Sequence, residues 1–368
     1  MHDSLGLYIH VPFCLSKCPY CDFYSVNPDE GALTAYTDAV CRALSSVEYS
    51  SNPVDTVYFG GGTPVLLGEK NLSRILETAE KHFCFTEPEV TIEANPAAVK
   101  ASGLASLRCS GFNRVSFGVQ SGVDAELAAL GRLHTSAEAR QSILDANKAG
   151  FQNISADLML GIPHQDTESL ARSIDFLGEL PLSHVSAYML KIEENTAFYK
   201  LGASVDDDAL SDMYLCAVKK LGGLGFRQYE ISSFAKNGAV SRHNLKYWTL
   251  GEYLGAGPSA HSFIAGRRFF IPRGIKAFIE AENPMSLAVP DGDGGGFEEY
   301  TMLRLRLCEG LHLAEAAEKY GADTEKITKK AKPLIKSGLV KMENGAVSLT
   351  PRGFLLSNTV TAALLYEH

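Results

Sequence analysis

The chain has 368 residues, 45% hydrophobic and 21% charged, enough for about two domains around a large core. Its 34 basic against 43 acidic residues give a net charge of -9, which argues against a general polyanion binder. No apolar run approaches the roughly 18 residues of a membrane span, and Met1-His2-Asp3-Ser4 carries no leader pattern. A soluble cytoplasmic protein is expected, any membrane contact being made through partners.

Residues 5–10 read as an apolar strand, and close behind it comes Cys14-Leu15-Ser16-Lys17-Cys18-Pro19-Tyr20-Cys21, a C-x3-C-x2-C array. Three thiolates hold three irons of a four-iron cluster and leave the fourth open to a substrate or cofactor. Zinc is the competing reading, but it usually takes four ligands from paired modules, and no fourth Cys or His stands close behind. The remaining cysteines, Cys41, Cys84, Cys109, Cys216 and Cys308, are scattered singly and read as small core residues in a reducing compartment.

Further β-rich segments at 55–59, 89–93, 114–119, 153–160 and 184–190 alternate with amphipathic stretches such as 33–45, 69–82, 135–149 and 167–177. This rhythm predicts parallel strands in six βα units, an α/β fold built as a partial (βα)6 barrel. Ligands in parallel α/β folds sit at the carboxyl ends of the strands. There the sequence places the cysteine loop, then Gly60-Gly61-Gly62-Thr63-Pro64, Glu93-Ala94-Asn95-Pro96 and Gly118-Val119-Gln120. Asp157 before Gly161-Ile162-Pro163 follows, and then Tyr188 and Lys191. The glycine run lacks the Lys-Ser/Thr of a P-loop and the spacing of a dinucleotide fingerprint. Gln120 and Asp157 stand in apolar surroundings, where a polar group needs a partner.

The next distinctive segment is Arg242-His243-Asn244-Leu245-Lys246-Tyr247-Trp248, which holds the only tryptophan. As a helix it puts His243 and Tyr247 on one face. Neutral imidazole is a common axial ligand of heme iron, and a porphyrin suits an aromatic surface; the alternative is a capped turn packed by a core Trp. His10, beside the cysteine loop, and His261, after a glycine-rich bend, are further candidates.

Pro290-Asp291-Gly292-Asp293-Gly294-Gly295-Gly296 has the composition of a flexible linker. Beyond it, helices at 313–320 and 324–337, a hairpin turning at Asn344-Gly345 and a helix opened by Thr350-Pro351 follow a winged-helix-like order. Pro333 is expected to kink or end the second of these helices. Lys326, Lys329, Lys330, Lys332, Lys336 and Lys341 raise the question of DNA binding. The chain is acidic and that helix has no arginine to read guanine edges, so a cap or partner-docking module is expected, with no specific nucleic acid. The expected units are 1–190, 191–290 and 297–368.

Taken together, these residues resemble the radical S-adenosylmethionine superfamily over nearly the full length, and within it the coproporphyrinogen III oxidase-like branch. The segment 242–248 is similar to the HNxxYW motif of the heme chaperones in that branch. Phe23 stands where the anaerobic oxidases carry a further cysteine, and their long leading extension has no counterpart in the 13 residues before Cys14.

The resemblance implies a 4Fe-4S cluster on Cys14, Cys18 and Cys21 whose open iron chelates the amino and carboxylate groups of S-adenosylmethionine. It places Gly61, Gly62 and Thr63 at the methionyl amine and Arg132 at the carboxylate. Glu93, Gln120 and Asp157 become acceptors for the ammonium or ribose hydroxyls, while Tyr8, Tyr20 and Lys191 frame the nucleoside, Lys191 through its backbone. Heme is implied as bound cargo, with His243, Tyr247 and Trp248 as the heme candidates. Respiratory-chain hemoproteins are implied as recipients, and a homodimer as the assembly. The superfamily implies cleavage of the cofactor to a deoxyadenosyl radical, but no catalytic residue is assigned. Two alternatives stay open: oxygen-independent coproporphyrinogen III oxidation, and a nucleic-acid regulator using the winged unit.

Overall fold

The computed structural model describes residues 4–47, 52–96 and 98–366. Residues 1–3, on which the leader reading falls, lie outside them. Strands β1 (Leu5–Val11), β2 (Val54–Gly61), β3 (Phe85–Ala94), β4 (Arg114–Gln120), β5 (Asn153–Leu160) and β6 (His184–Met189) pair in that order, every pair parallel. They are joined through α1 (Glu30–Ser45), α2 (Glu69–His82), α3 (Ala101–Cys109), α4 (Asp124–Ala129), α5 (Ser136–Lys148) and α6 (Thr167–Gly178). The predicted six-unit parallel architecture is therefore present.

Local chemistry explains where these helices start. The Asp29 side chain accepts from the Ala32 amide ahead of α1, and Thr135 with Glu138 forms a reciprocal capping box on α5. In β1 the period-two pleat splits the residues between two faces. Leu5, Leu7, Ile9 and Val11 are wholly buried and join the main core. Gly6, Tyr8 and His10 face the interior of the curved sheet.

After β6 come α7 (Ala197–Lys200), α8 (Asp207–Gly223), the short pair β7 (Arg227–Gln228) and β8 (Ser233–Ala235), and α9 (Arg242–Trp248). Strand β9 (Tyr253–Ala256) then pairs parallel to β1, and β10 (His261–Ile264), β11 (Arg267–Phe270) and β12 (Val289–Asp293) extend that edge antiparallel, with α10 (Ile275–Glu280) between the last two. Among the described residues 12 strands form one sheet in the order β12-β11-β10-β9-β1-β2-β3-β4-β5-β6-β8-β7.

One expectation is corrected here. The glycine-rich run 290–296 is not a flexible linker: its first half belongs to β12, paired with β11, and its second half is tied down. The Gly294 amide donates to the Gly266 carbonyl and the Gly295 amide to Glu299. A Cβ at Gly294 would press on Arg268, Glu299 and Phe263, so the glycine serves close packing.

The last unit contains α11 (Phe297–Arg304), β13 (Leu311–His312), α12 (Leu313–Tyr320), α13 (Thr324–Lys336), β14 (Val340–Glu343), β15 (Ala346–Leu349), α14 (Pro351–Leu355) and α15 (Ser357–Leu365). Its strands form an antiparallel sheet ordered β13-β15-β14, and Asn344 and Gly345 turn the hairpin at φ of 51° and 75°. Helix α13 runs through Pro333 to Lys336, so the stop expected there does not occur. Its Ile327 and Ala331 stay buried, and Lys330 is drawn to the end of α15, donating to the carbonyls of Leu364, Leu365 and Tyr366 at 3.1, 3.1 and 3.0 Å.

Candidate functional site

A cavity of about 380 Å³ opens at the carboxyl ends of the parallel strands, and Cys14, Cys18 and Cys21 all line it. The cysteine loop is pinned where it leaves the sheet. The Cys14 amide donates to the Val26 carbonyl at 3.0 Å, and the Val26 amide to that of Pro12 at 2.7 Å. The glycine run locks the other side: Gly62 donates to Val11 at 2.8 Å and Thr63 to Phe13 at 2.7 Å. A Cβ at Gly62 would lie 2.5 Å from the Phe13 carbonyl oxygen, so only glycine lets the two loops meet.

Arg132 bridges the loops from the far wall. Its guanidinium donates to Cys18 Sγ at 3.5 Å, to Asn95 Oδ1 at 2.6 Å and to the Gly118 carbonyl at 2.9 Å. Asn95 in turn donates to Thr63 Oγ1 at 2.9 Å, and that hydroxyl is 3.7 Å from Cys14 Sγ. Two cysteines thus touch one polar network. Asn95, in the strand-end run 93–96, and Ser116, which the sequence reading does not name, also line the cavity. The period-two pleat is the signal that finds Ser116, since Ser116, Gly118 and Gln120 follow one another at steps of two.

Glu93 and Asp157 form the acidic side. Glu93 accepts from the Tyr58 hydroxyl at 2.7 Å and the Gly61 amide at 3.1 Å. Burial raises its carboxyl above the usual range, opposed by those two hydrogen bonds. Asp157 is pushed up to about 7, first by burial and then by the Glu93 charge, with Arg114 opposing. Arg114 is the counter-charge beneath: it is 2% exposed, and its field acts with those of Glu89, Tyr58, Tyr229 and Asp157. Gln120 ends β4 at φ of 67°, a conformation rare for a residue with a side chain, and it too lines the cavity.

Cys14, Cys18, Cys21, Tyr20, Gly61, Gly62, Thr63, Glu93, Gln120, Arg132 and Asp157 are therefore gathered at one cavity. Tyr8 and Lys191 do not line it. Tyr8 stands one layer deeper, its hydroxyl 3.0 Å from His10 Nδ1 and its ring stacked at 6.3 Å on His243. The Lys191 side chain points outward, paired with Glu193 at 2.6 Å.

The segment 242–248 is helical, with His243 and Tyr247 on one face as predicted, but it plugs the opposite end of the barrel. His243 Nδ1 is 2.9 Å from Thr56 Oγ1 and Nε2 is 2.9 Å from the Tyr247 hydroxyl. The ring is wholly buried, stacked at 5.2 Å on Tyr58, and burial lowers its pKa to about 3. Neither nitrogen is free for an iron in this arrangement, which runs against His243 as an open axial ligand. Trp248 faces the last unit, where the Arg306 guanidinium sits 5.7 Å from its ring centre.

A Radical SAM superfamily model matches residues 8–177, and a HemN C-terminal domain model matches 297–356. The heme chaperone HemW of Mycobacterium tuberculosis is 34% identical over 383 aligned residues, covering 99% of this chain and 95% of that protein. HemW of Bacillus subtilis is also 34% identical, covering 98% and 99%. The chain belongs to the HemW family of radical S-adenosylmethionine proteins. Among solved structures, coproporphyrinogen III oxidase (HemN) of Escherichia coli superposes with a TM-score of 0.83 at 21% identity, over 98% of this chain and 90% of that one, a likeness of fold.

Membership of the HemW family implies a 4Fe-4S cluster and S-adenosylmethionine, and the residues present fit both. Among the described residues no three His, Cys, Asp or Glu groups are close enough for a single metal ion. Three thiols lining one cavity, two of them joined through Thr63, Asn95 and Arg132, suit a cluster held by three cysteines. The glycine cradle at Gly61 and Gly62 and the facing acceptors Glu93 and Asp157 suit a ligand bearing an ammonium and hydroxyls. Among the described residues no helix is long and apolar enough to cross a membrane.

Proposed function

We propose that this protein is a heme chaperone: it binds heme and hands it to apo-hemoproteins of the respiratory chain from the cytoplasm. Cys14, Cys18 and Cys21 hold a 4Fe-4S cluster with one iron left to S-adenosylmethionine, and a homodimer is the working assembly. The cluster and cofactor supply one-electron chemistry when bound. The chain's own residues orient the cofactor: Thr63 and the glycine backbone border one end, Arg132 ties the cluster loop to the wall, and Glu93, Gln120 and Asp157 offer acceptors.

The observation that carries this reading is the near end-to-end correspondence with relatives named heme chaperones, on a chain with three thiols, Gly61, Gly62, Thr63, Glu93, Gln120, Arg132 and Asp157 lining one cavity. The test is anaerobic reconstitution followed by hemin titration with S-adenosylmethionine present, following the Soret band and deoxyadenosine together. Stoichiometric heme uptake without porphyrinogen consumption supports the chaperone. Deoxyadenosine release coupled to coproporphyrinogen consumption, without heme uptake, would replace it with the oxidase.

A further inference from the structure

A histidine that ligates heme iron must offer a ring nitrogen at an accessible surface, and four of the eight described histidines do not. His10 is buried, with Nδ1 3.0 Å from Tyr8 and Nε2 3.5 Å from the Tyr24 carbonyl. His134 is buried against the Val119 carbonyl at 3.1 Å, and His184 is held at both nitrogens by Ser155 and Tyr229, each at 2.8 Å. His243 is held in the same way. His261 differs, its side chain being 58% exposed.

The sheet register shows what surrounds it. Tyr58 pairs with Tyr8, and Tyr8 with Gly255. The β9–β10 register, fixed by Phe263 opposite Tyr253, brings His261 opposite Gly255. His261 pairs with Phe270, and Phe270 with Val289. Directly opposed residues point to the same face, so one row crosses six strands on the concave side that also carries the cofactor cavity. At Gly255 that row has no side chain, and a Cβ there would collide with the His261 carbonyl. His261, Phe270 and Val289 then form a platform two strand spacings wide, roughly 10 Å, with Val289 exposed.

The ring itself is set for ligation. It lies stacked on Phe270 at 5.3 Å with the planes 23° apart, and Nδ1 is 3.7 Å from an Asp291 carboxylate oxygen, within ion-pair reach and beyond hydrogen-bond distance. A carboxylate behind one imidazole nitrogen orients the ring and raises the basicity of the other. Arg273, three residues past Phe270, stands 4.0 Å from an Asp22 carboxylate oxygen and is 60% exposed, so its guanidinium has further donors for a propionate. Exposed His164 and His82 have no such aromatic or carboxylate partner among the described residues, and His312 belongs to the last unit.

We infer that the heme cargo is ligated by His261 Nε2, with the porphyrin against Phe270 and Val289 and a propionate toward Arg273. This rests on heme being the cargo. Hemin titration of the reconstituted full chain tests it, comparing wild type with His261→Ala, His261→Tyr and Asp291→Asn. The expected result is loss of the wild-type Soret position in His261→Ala, a new spectrum in His261→Tyr, and about tenfold weaker binding in Asp291→Asn. Wild-type spectra and affinity in both His261 variants would overturn the inference while leaving the chaperone reading intact. No heme uptake by the wild type would overturn both.

Discussion

His243 Nε2 and the Tyr247 hydroxyl lie 2.9 Å apart, one helical turn from each other, and the same imidazole reaches back to Thr56 of β2 at 2.9 Å. This pair closes the amino-terminal end of the barrel. Above it the stack continues through Tyr8 to His10 and the Tyr24 carbonyl at the cysteine loop. His243→Ala leaves two buried hydroxyls unpaired and opens a void, an expected loss of about 3 kcal/mol in denaturant unfolding. Wild-type stability in that variant would contradict the plug.

Acid should weaken the fold through the same residues. Burial lowers His10 and His134 to about 4, His243 to about 3 and His184 well below its usual value. A histidine depressed on folding contributes stability that is complete above the unfolded value of 6.5 and is lost as pH falls from there toward about 3. The raised Asp157 and Glu93 carboxyls shift stability the opposite way over the same range, so the check is imidazole NMR of the metal-free chain, in which these four rings should stay neutral at about pH 5.5. Protonation of all four near about pH 6.5 would contradict the buried neutral histidines.

Gly62→Ala and Gly68→Ala form a matched pair. At Gly62 the added Cβ strikes the Phe13 carbonyl and separates the glycine run from the cysteine loop, whereas at Gly68, φ 77°, nothing lies within 4 Å. Iron and sulfide content after reconstitution should fall sharply in Gly62→Ala and stay near wild type in Gly68→Ala, whose cost is backbone strain of about 1 kcal/mol. Equal loading of the two would contradict the loop contact.

Cofactor affinity should depend on Asp157. Its acid form persists up to about 7 in the free protein, and only the ionised carboxylate offers both oxygens as acceptors and a full charge to an ammonium. S-adenosylmethionine binding followed by calorimetry should strengthen several-fold from about pH 6 to about pH 8. Asp157→Asn should bind more weakly and lose that pH dependence. A variant with the wild-type profile would assign the titration elsewhere.

Much of this was legible from sequence because period two and strand-end position are simple rules. Glycines, carboxylates and the cysteine array fell at the ends of successive strands, and the structure gathers them at one cavity. The edge strands β9 to β12 are not legible in the sequence: each has only four or five residues, and each is held by its neighbour in a chain of pairings that starts from β9 on β1. The same blindness turned residues 290–296 into an expected linker. His243 misled in another way, since its motif fixed its helical face but not which end of the barrel the helix closes. Only the contacts with Thr56 and Tyr58 decide that.

The most direct test of heme delivery is transfer itself. Reconstituted full-length protein is loaded with hemin, freed of excess, and mixed with an apo-hemoprotein of the respiratory chain under anaerobic conditions with S-adenosylmethionine. The account predicts that the recipient's Soret spectrum grows as the donor's declines, faster than from free hemin at equal concentration. A donor that takes up no heme, or that retains it while consuming a porphyrinogen, would contradict it.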